Sequence, residues 1–437
     1  MHSEVTATRN VRAWVLGAIA VVTYVLVALW LTDNTWSKVY STRLDRGWLT
    51  DFRDAIYYPS RALLQGINPY DPSVFYETYP VGQEFPLYSP VHLVMHLPFA
   101  ALSLATARAV YFCLNICLMV VLAGTALRLA GHALTVAKVF AFATLLLLSN
   151  PGFWDLRTGE STLIFVLGIY LALACGRSRP GWATIGVVLA LGKPTFGVVL
   201  VVLMLCRRET RAAINGTLIA IAISIIGSFR LAGGFGGAGD FITSLRESFE
   251  TTTLAPQSRL GSSLRVDAFN TFARLSHSRP AETIATIGAL ALLGVGVFIV
   301  AKLHHADPST DQSEVAITLA LLLLLVPLFH VHYDLLILAW PLALLLHKPF
   351  KDIAPWPRYW RALISFMLLI AMIAPTRWTA INQVLSRSKL ARLSGPTVAG
   401  LCILAVLFMA GWTAWRASQT ANSLDPEPLA HKSAISD

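Results

Sequence analysis

Ionisable side chains that interrupt apolar runs are the residues best able to do chemistry in this chain. Asp51, Asp54, Asp155, Arg157, Glu160, Lys193, His330, His332 and Asp334 all stand beside or between long apolar stretches. Burial of a charge in such a place is costly, so for Lys193 and the His330–Asp334 cluster a functional role is the default reading. Each also has a plain alternative. A lysine can snorkel to lipid headgroups, an aspartate can cap a helix, and a histidine can close a helix end. Acids, histidines and cations converging on one membrane surface suit group transfer better than a purely structural part.

The elements that must carry these groups are membrane helices. Hydrophobic residues make up 55% of the 437 positions and charged residues only 13%, against about 25% charged in ordinary soluble domains. Runs such as 13–32, 212–229, 283–303 and 397–415 approach or exceed the roughly 20 apolar residues that a bilayer-crossing helix needs. The first run follows Arg9 and Arg12 and leads into Thr32-Asp33-Asn34 rather than a small-residue cleavage site, so it reads as a retained signal anchor. Cys113, Cys117, Cys175, Cys206 and Cys402 show neither metal-ligand nor disulfide spacing and read as lone buried thiols. The net charge of +10 comes without a basic helix or aromatic-interleaved patch. It therefore points to anionic lipid or a phosphate-bearing substrate, not to nucleic acid.

Lysines and arginines in short flanks assign the sides. The amino terminus is cytoplasmic and 13–32 cross outward to a first external loop, 33–104. Within it, 89–103 is too short to span and reads as interfacial or re-entrant. Residues 105–127 return, 139–150 cross outward, and 161–175 return to Arg177 and Arg179. Residues 181–206 lie between two cytoplasmic-looking clusters, so two short helices should meet at Gly192-Lys193-Pro194 on the far side. Residues 212–229 lead out to a second external loop, 230–281. Crossings at 283–303, 314–329, 335–347, 362–375 and 396–415 follow. The expectation is a single all-α membrane domain, 1–417, of about twelve crossings with both termini cytoplasmic, and a disordered tail, 418–437. Arg246, Arg259, Arg265, Arg274, Arg377, Arg387, Lys389 and Arg392 fall outside, which fits an external anion or lipid headgroups equally well.

The first external loop carries the most specific pattern. Asp51-Phe52, Tyr57-Tyr58, Leu63-Leu64-Gln65-Gly66 and Pro69-Tyr70-Asp71 occur in order: an acid before an amphipathic helix, a glycine stop and a turn. This loop resembles that of glycosyltransferase family 87, a group of GT-C membrane enzymes. Tyr88-Ser89-Pro90 before Pro98-Phe99-Ala100, Thr158-Gly159-Glu160, Lys193-Pro194 and His332-Tyr333-Asp334-Leu335 extend the resemblance. At the glutamate position that family more often has glutamine or asparagine.

The resemblance implies a GT-C-like helical bundle in the inner membrane with an external active site. It further implies transfer of mannose or arabinofuranose from a polyprenyl-phosphate donor to a cell-envelope glycan or glycolipid acceptor. A sugar hydroxyl needs a carboxylate to take its proton. The family's first-loop acid implies Asp51 for this, with Asp54 in reserve. A departing phosphate needs cations, and Lys193, Arg157, Arg265 and either His330 or His332 are the candidates. Glu160 is a candidate contact for acceptor hydroxyls, Asp334 an orienter of a histidine, and Tyr57 and Tyr58 stacking faces for sugar. No spacing resembles a tight metal site, so no cofactor is expected. The competing class is a transporter or flippase of a lipid-linked sugar, which should show internal repeats or charges midway along helices; neither is evident.

Overall fold

The computed structural model of the chain describes residues 2–39, 49–86, 88–254, 259–260, 262, 264–276, 282–306, 314–346, 358–373 and 395–423. Arg377, Arg387, Lys389, Arg392 and residues 424–437 lie outside the described residues. Among those described there is no strand; an isolated antiparallel bridge joins Arg265 to Val331.

The chain opens with α1 (His2–Val39). A π-helical turn, Phe52–Tyr57, runs into α2 (Tyr58–Gln65), followed by α3 (Pro72–Thr78), α4 (Pro90–Met95) and α5 (Leu97–Ala100). The bundle continues with α6 (Leu104–Leu129), α7 (Val136–Leu148), α8 (Asn150–Thr158), α9 (Thr162–Cys175), α10 (Pro180–Leu191), α11 (Pro194–Cys206) and α12 (Thr210–Leu231). The remaining helices are α13 (Ala238–Leu254), α14 (Ala268–Ser276), α15 (Glu282–Ala306) and α16 (Glu314–Leu325). A 3-10 turn, His332–Leu338, then enters α17 (Ala339–Leu346), before α18 (Arg358–Ile373) and α19 (Gly395–Ser423). The last helix thus runs into the segment read from sequence as a tail.

Local chemistry sets many of these boundaries. Asp71 caps α3 by accepting from the amides of Ser73 and Val74, and Ser103 and Thr135 cap α6 and α7 in the same way. Ser149 caps α8, Pro151 occupies its first turn, and the chain bends there by 73°. Gly66, at φ 73°, stops α2 where a side chain would be strained.

By length and apolar composition, five described helices can cross a bilayer, or six if bent α7–α8 is one span. The chain is a membrane protein. The other apolar helices are 10–17 residues long, mostly shorter than a full bilayer crossing at 1.5 Å per residue. Several of these short pieces form the interior: Leu319–Val326 and Leu335–Leu344 are almost completely buried. The Tyr170 hydroxyl donates to the Ile337 carbonyl (2.9 Å) and accepts from the Trp340 amide (2.8 Å), tying the 3-10 turn to α9.

As expected from the charges, two helices meet at Gly192-Lys193. At one end of the bundle, the Arg177 guanidinium lies 2.8 Å from His304 Nδ1 and donates to the Arg207 carbonyl. Arg207 pairs with Glu209 at 3.1 Å. Lys193 is at the opposite end, so α10 and α11 run between the two ends. The cysteines differ from expectation: Cys113 and Cys117 are exposed and the other three half-buried. In a bilayer the apolar exterior accepts a thiol, so burial inside the protein is not required.

Candidate active site

The end of the bundle that holds Lys193 contains a cavity of about 520 Å³. Asp51, Glu160, Lys193, Arg265 and His332, all singled out in the sequence, line it together with Gln83, Glu84, Tyr88, Trp154 and Tyr333.

Asp51 sits in helical backbone (φ −69°, ψ −37°) and its side chain makes no capping bond, which removes the cap alternative. Its Oδ1 instead accepts from Gln83 Nε2 at 2.7 Å. Two residues earlier, buried Leu49 adopts φ 49°, a left-handed conformation uncommon for a bulky residue. The Leu49 amide donates to the Arg157 carbonyl at 2.6 Å, docking this segment against α8. Gly159 ends α8 at φ +71°. A Cβ there would lie 2.6 Å from Leu49 Cδ2 and 2.7 Å from Phe52 Cβ. The glycine therefore lets the Thr158-Gly159-Glu160 turn lie directly on the segment that carries Asp51.

Glu160 is almost fully buried; its Oε1 accepts from the Tyr88 hydroxyl at 2.7 Å and from Ser161 at 3.3 Å. Burial first, and the Glu160 charge second, push the Asp51 carboxyl up to about 7, against hydrogen bonds from Gln83 and Thr158 that favour the ionised form.

The cations reach the cavity already partnered. Lys193 Nζ donates to Asp334 Oδ1 at 2.6 Å and lies over the rings of Phe196 and Tyr333. Asp334 Oδ2 in turn lies 3.0 Å from His330 Nδ1 and accepts from the Val331 amide. Arg265 pairs with Asp267 at 2.7 Å and stacks over Phe329 at 5.0 Å. The two histidines separate here. His332 is on the cavity wall, edge-on to Trp154. His330 is fully buried, stacked on Phe196 at 4.4 Å.

Other sequence candidates stand apart from the lining. Asp54 is buried, holds Arg53 through two bonds of 2.5 and 2.8 Å, and accepts from the Gly82 amide. Arg157 lies over the Trp154 ring at 4.6 Å. The Tyr57 hydroxyl donates to the Leu102 carbonyl and accepts from Arg61, and Tyr58 packs on Tyr57 and Tyr79. Gln83 and Glu84, which do line the cavity, carry no sequence signal beyond lying in a polar stretch between apolar runs.

Against known families, the model of glycosyltransferase family 87 matches residues 87–329, more than half of the chain. The chain belongs to glycosyltransferase family 87. No curated protein and no solved structure matches it. The matched segment of this family 87 chain includes Glu160, Lys193 and Arg265 and stops one residue short of His330. Among the described residues, no group of three or more His, Cys, Asp and Glu side chains is arranged to hold a metal ion.

Proposed function

We propose that this family 87 protein transfers a sugar, mannose or arabinofuranose, from a polyprenyl-phosphate donor to a cell-envelope glycan or glycolipid. The single observation that carries this reading is the cavity that gathers Asp51, Glu160, Lys193, Arg265 and His332. An apolar groove of about 570 Å³, lined by α10, α11, α12 and α13 residues, meets this cavity at Pro194. An exposed apolar channel running up to a pair of oriented cations fits a lipid chain ending in a phosphate.

In this reading the acceptor hydroxyl gives its proton to Asp51 as its oxygen bonds to the anomeric carbon. The bond from that carbon to the phosphate oxygen breaks, and the phosphate leaves with the electron pair. Lys193 and Arg265, held in place by Asp334 and Asp267, meet the developing charge. A single displacement of this kind inverts the anomeric configuration. Trp154 and Tyr333 offer faces to the sugar ring. The topology that accompanies this reading puts the cavity on the extracytoplasmic face of the inner membrane, with both termini cytoplasmic. In this topology the shorter apolar helices are taken as crossings beside the five or six longer spans, for the expected total of about twelve.

The test is sugar transfer by the purified protein in nanodiscs, with radiolabelled polyprenyl-phosphate mannose or arabinofuranose and a glycolipid acceptor mixture. Asp51→Asn should lower turnover by about 10²–10⁴ while donor binding persists. Full activity in that variant would move the base elsewhere. Failure of the wild type with both donors would overturn the donor assignment.

A further inference from the structure

Three acidic side chains line the cavity, and two of them, Asp51 and Glu160, have no ion-pair partner among the described residues. The two cations that line the cavity are occupied. From the start of α11, Lys193 is held by Asp334 at 2.6 Å; from the second external loop, Arg265 is held by Asp267 at 2.7 Å. The loop before α4 adds Gln83, which donates to Asp51, and Glu84, a further acid whose carboxyl burial pushes up. The 3-10 turn adds only His332 and the hydroxyl of Tyr333. Behind Glu160, on α8, the carboxylate of Asp155 is fully buried and neither oxygen is hydrogen-bonded. Asp51 and Glu160, hydrogen-bonded but without a cation, share one cavity with Asp155 behind them, and such carboxylates repel one another unless a proton is held among them.

The backbone forces the approach. Gly159 lies against Leu49 and Phe52 closely enough to exclude a Cβ, so the residues next to that contact, Glu160 and Asp51, cannot draw apart. Glu160 is fixed as well: its carboxylate accepts from Tyr88, and its backbone carbonyl accepts from the Tyr111 hydroxyl at 3.1 Å.

We propose that Glu160 is a positioning residue that acts through Asp51, the two carboxyl groups holding a single proton between them in the resting cavity. This rests on the glycosyltransferase reading above, in which Asp51 is the base. The pair releases its shared proton to solvent before turnover. Asp51 then takes the proton of the acceptor hydroxyl while the phosphate leaves with its electron pair, and the product complex regains the shared proton. One proton is released per sugar transferred. Glu160 keeps Asp51 a stronger base than an ordinary carboxylate, at the cost of requiring a higher pH to free it.

The experiment compares full-length wild type, Glu160→Gln and Glu160→Asp in nanodiscs, each first shown to melt cooperatively. Turnover and KM are measured across pH with a polyprenyl-phosphate sugar donor. Wild-type turnover should rise with pH around 7. Glu160→Gln should move this rise to lower pH by on the order of one unit, with a lower plateau, and Glu160→Asp should restore it. An unmoved rise with a raised KM would overturn the proposal and make Glu160 an acceptor contact instead. Infrared titration of the carboxyl band, assigned with Asp51→Asn, needs no substrate. A band that persists to near-neutral pH in wild type but not in Glu160→Gln supports the pair even if neither donor is used. A band indifferent to residue 160 overturns it.

Discussion

Both ends of this bundle bury charge, and beside one of them, among the described residues, lies a cavity of about 520 Å³. At the end away from Lys193, Arg177 lies against His304 and donates to the Arg207 carbonyl, while Arg207 pairs with Glu209 and donates to the Leu173 carbonyl. That arrangement clamps three helix ends together. At the other end the pairs Lys193–Asp334 and Arg265–Asp267 have the same local chemistry, yet each presents its cation to a cavity of about 520 Å³. Asp51 and Glu160 face the same space without a cation. Buried ion pairs therefore do not by themselves mark a site. Like charges left together around an open volume do, because a fold optimised only for stability would separate or neutralise them.

The sharpest way to break this comparison is to remove one carboxylate from each end. Asp334→Asn strands the Lys193 ammonium in a buried place and should cost about 3–5 kcal/mol. It should also abolish transfer per folded molecule. Glu209→Gln should cost a comparable amount in thermal unfolding while the surviving folded protein keeps its turnover. Loss of turnover per folded molecule in Glu209→Gln would erase the distinction between the two ends.

A smaller effect is expected from Gly159→Ala. The new Cβ meets Leu49 and Phe52 inside 3 Å, and the backbone is left-handed. A cost of about 1–3 kcal/mol follows, together with reduced turnover as Glu160 and Asp51 are pushed apart. Unchanged kinetics would show that their close approach is not needed.

Asp51→Asn should reveal the electrostatic cost of the cavity as a dependence of stability on pH. The folded carboxyl binds its proton up to about 7, the unfolded one only up to about 3.8. Above the lower value the unfolded chain releases the proton and the folded one retains it, so wild-type stability falls as pH rises toward 7 and then levels. Asparagine keeps an oxygen for Gln83 but has no proton to lose. Its melting advantage over wild type should therefore grow between about pH 4 and pH 7; a pH-independent difference would contradict the raised carboxyl. The smallest effect belongs to Arg246→Ala. Its pair with Glu250 is well exposed on α13, and neither melting nor turnover should change measurably.

The sequence by itself determined the solvent, the helical class and much of the punctuation. Apolar runs with few charges require a bilayer. The flanking arginines put Arg177 and Arg207 at one end, and Gly192-Lys193-Pro194 broke the segment 181–206 where the structure breaks it. These are local properties: composition, charge and backbone stereochemistry act within a few residues. Family membership was also legible, in ordered short motifs. What only tertiary structure decided is which of the marked residues meet. Asp51 faces the cavity, while Asp54, three residues on, is consumed by Arg53 and Gly82. His332 lines the wall while His330 lies behind it, and Gln83 and Glu84 enter the site with little to announce them. Residues three apart share a face of a regular α-helix, but the π-helical turn Phe52–Tyr57 changes that spacing between Asp51 and Asp54. Which face meets a cavity depends on contacts made by helices far away in the chain, and no local pattern encodes that.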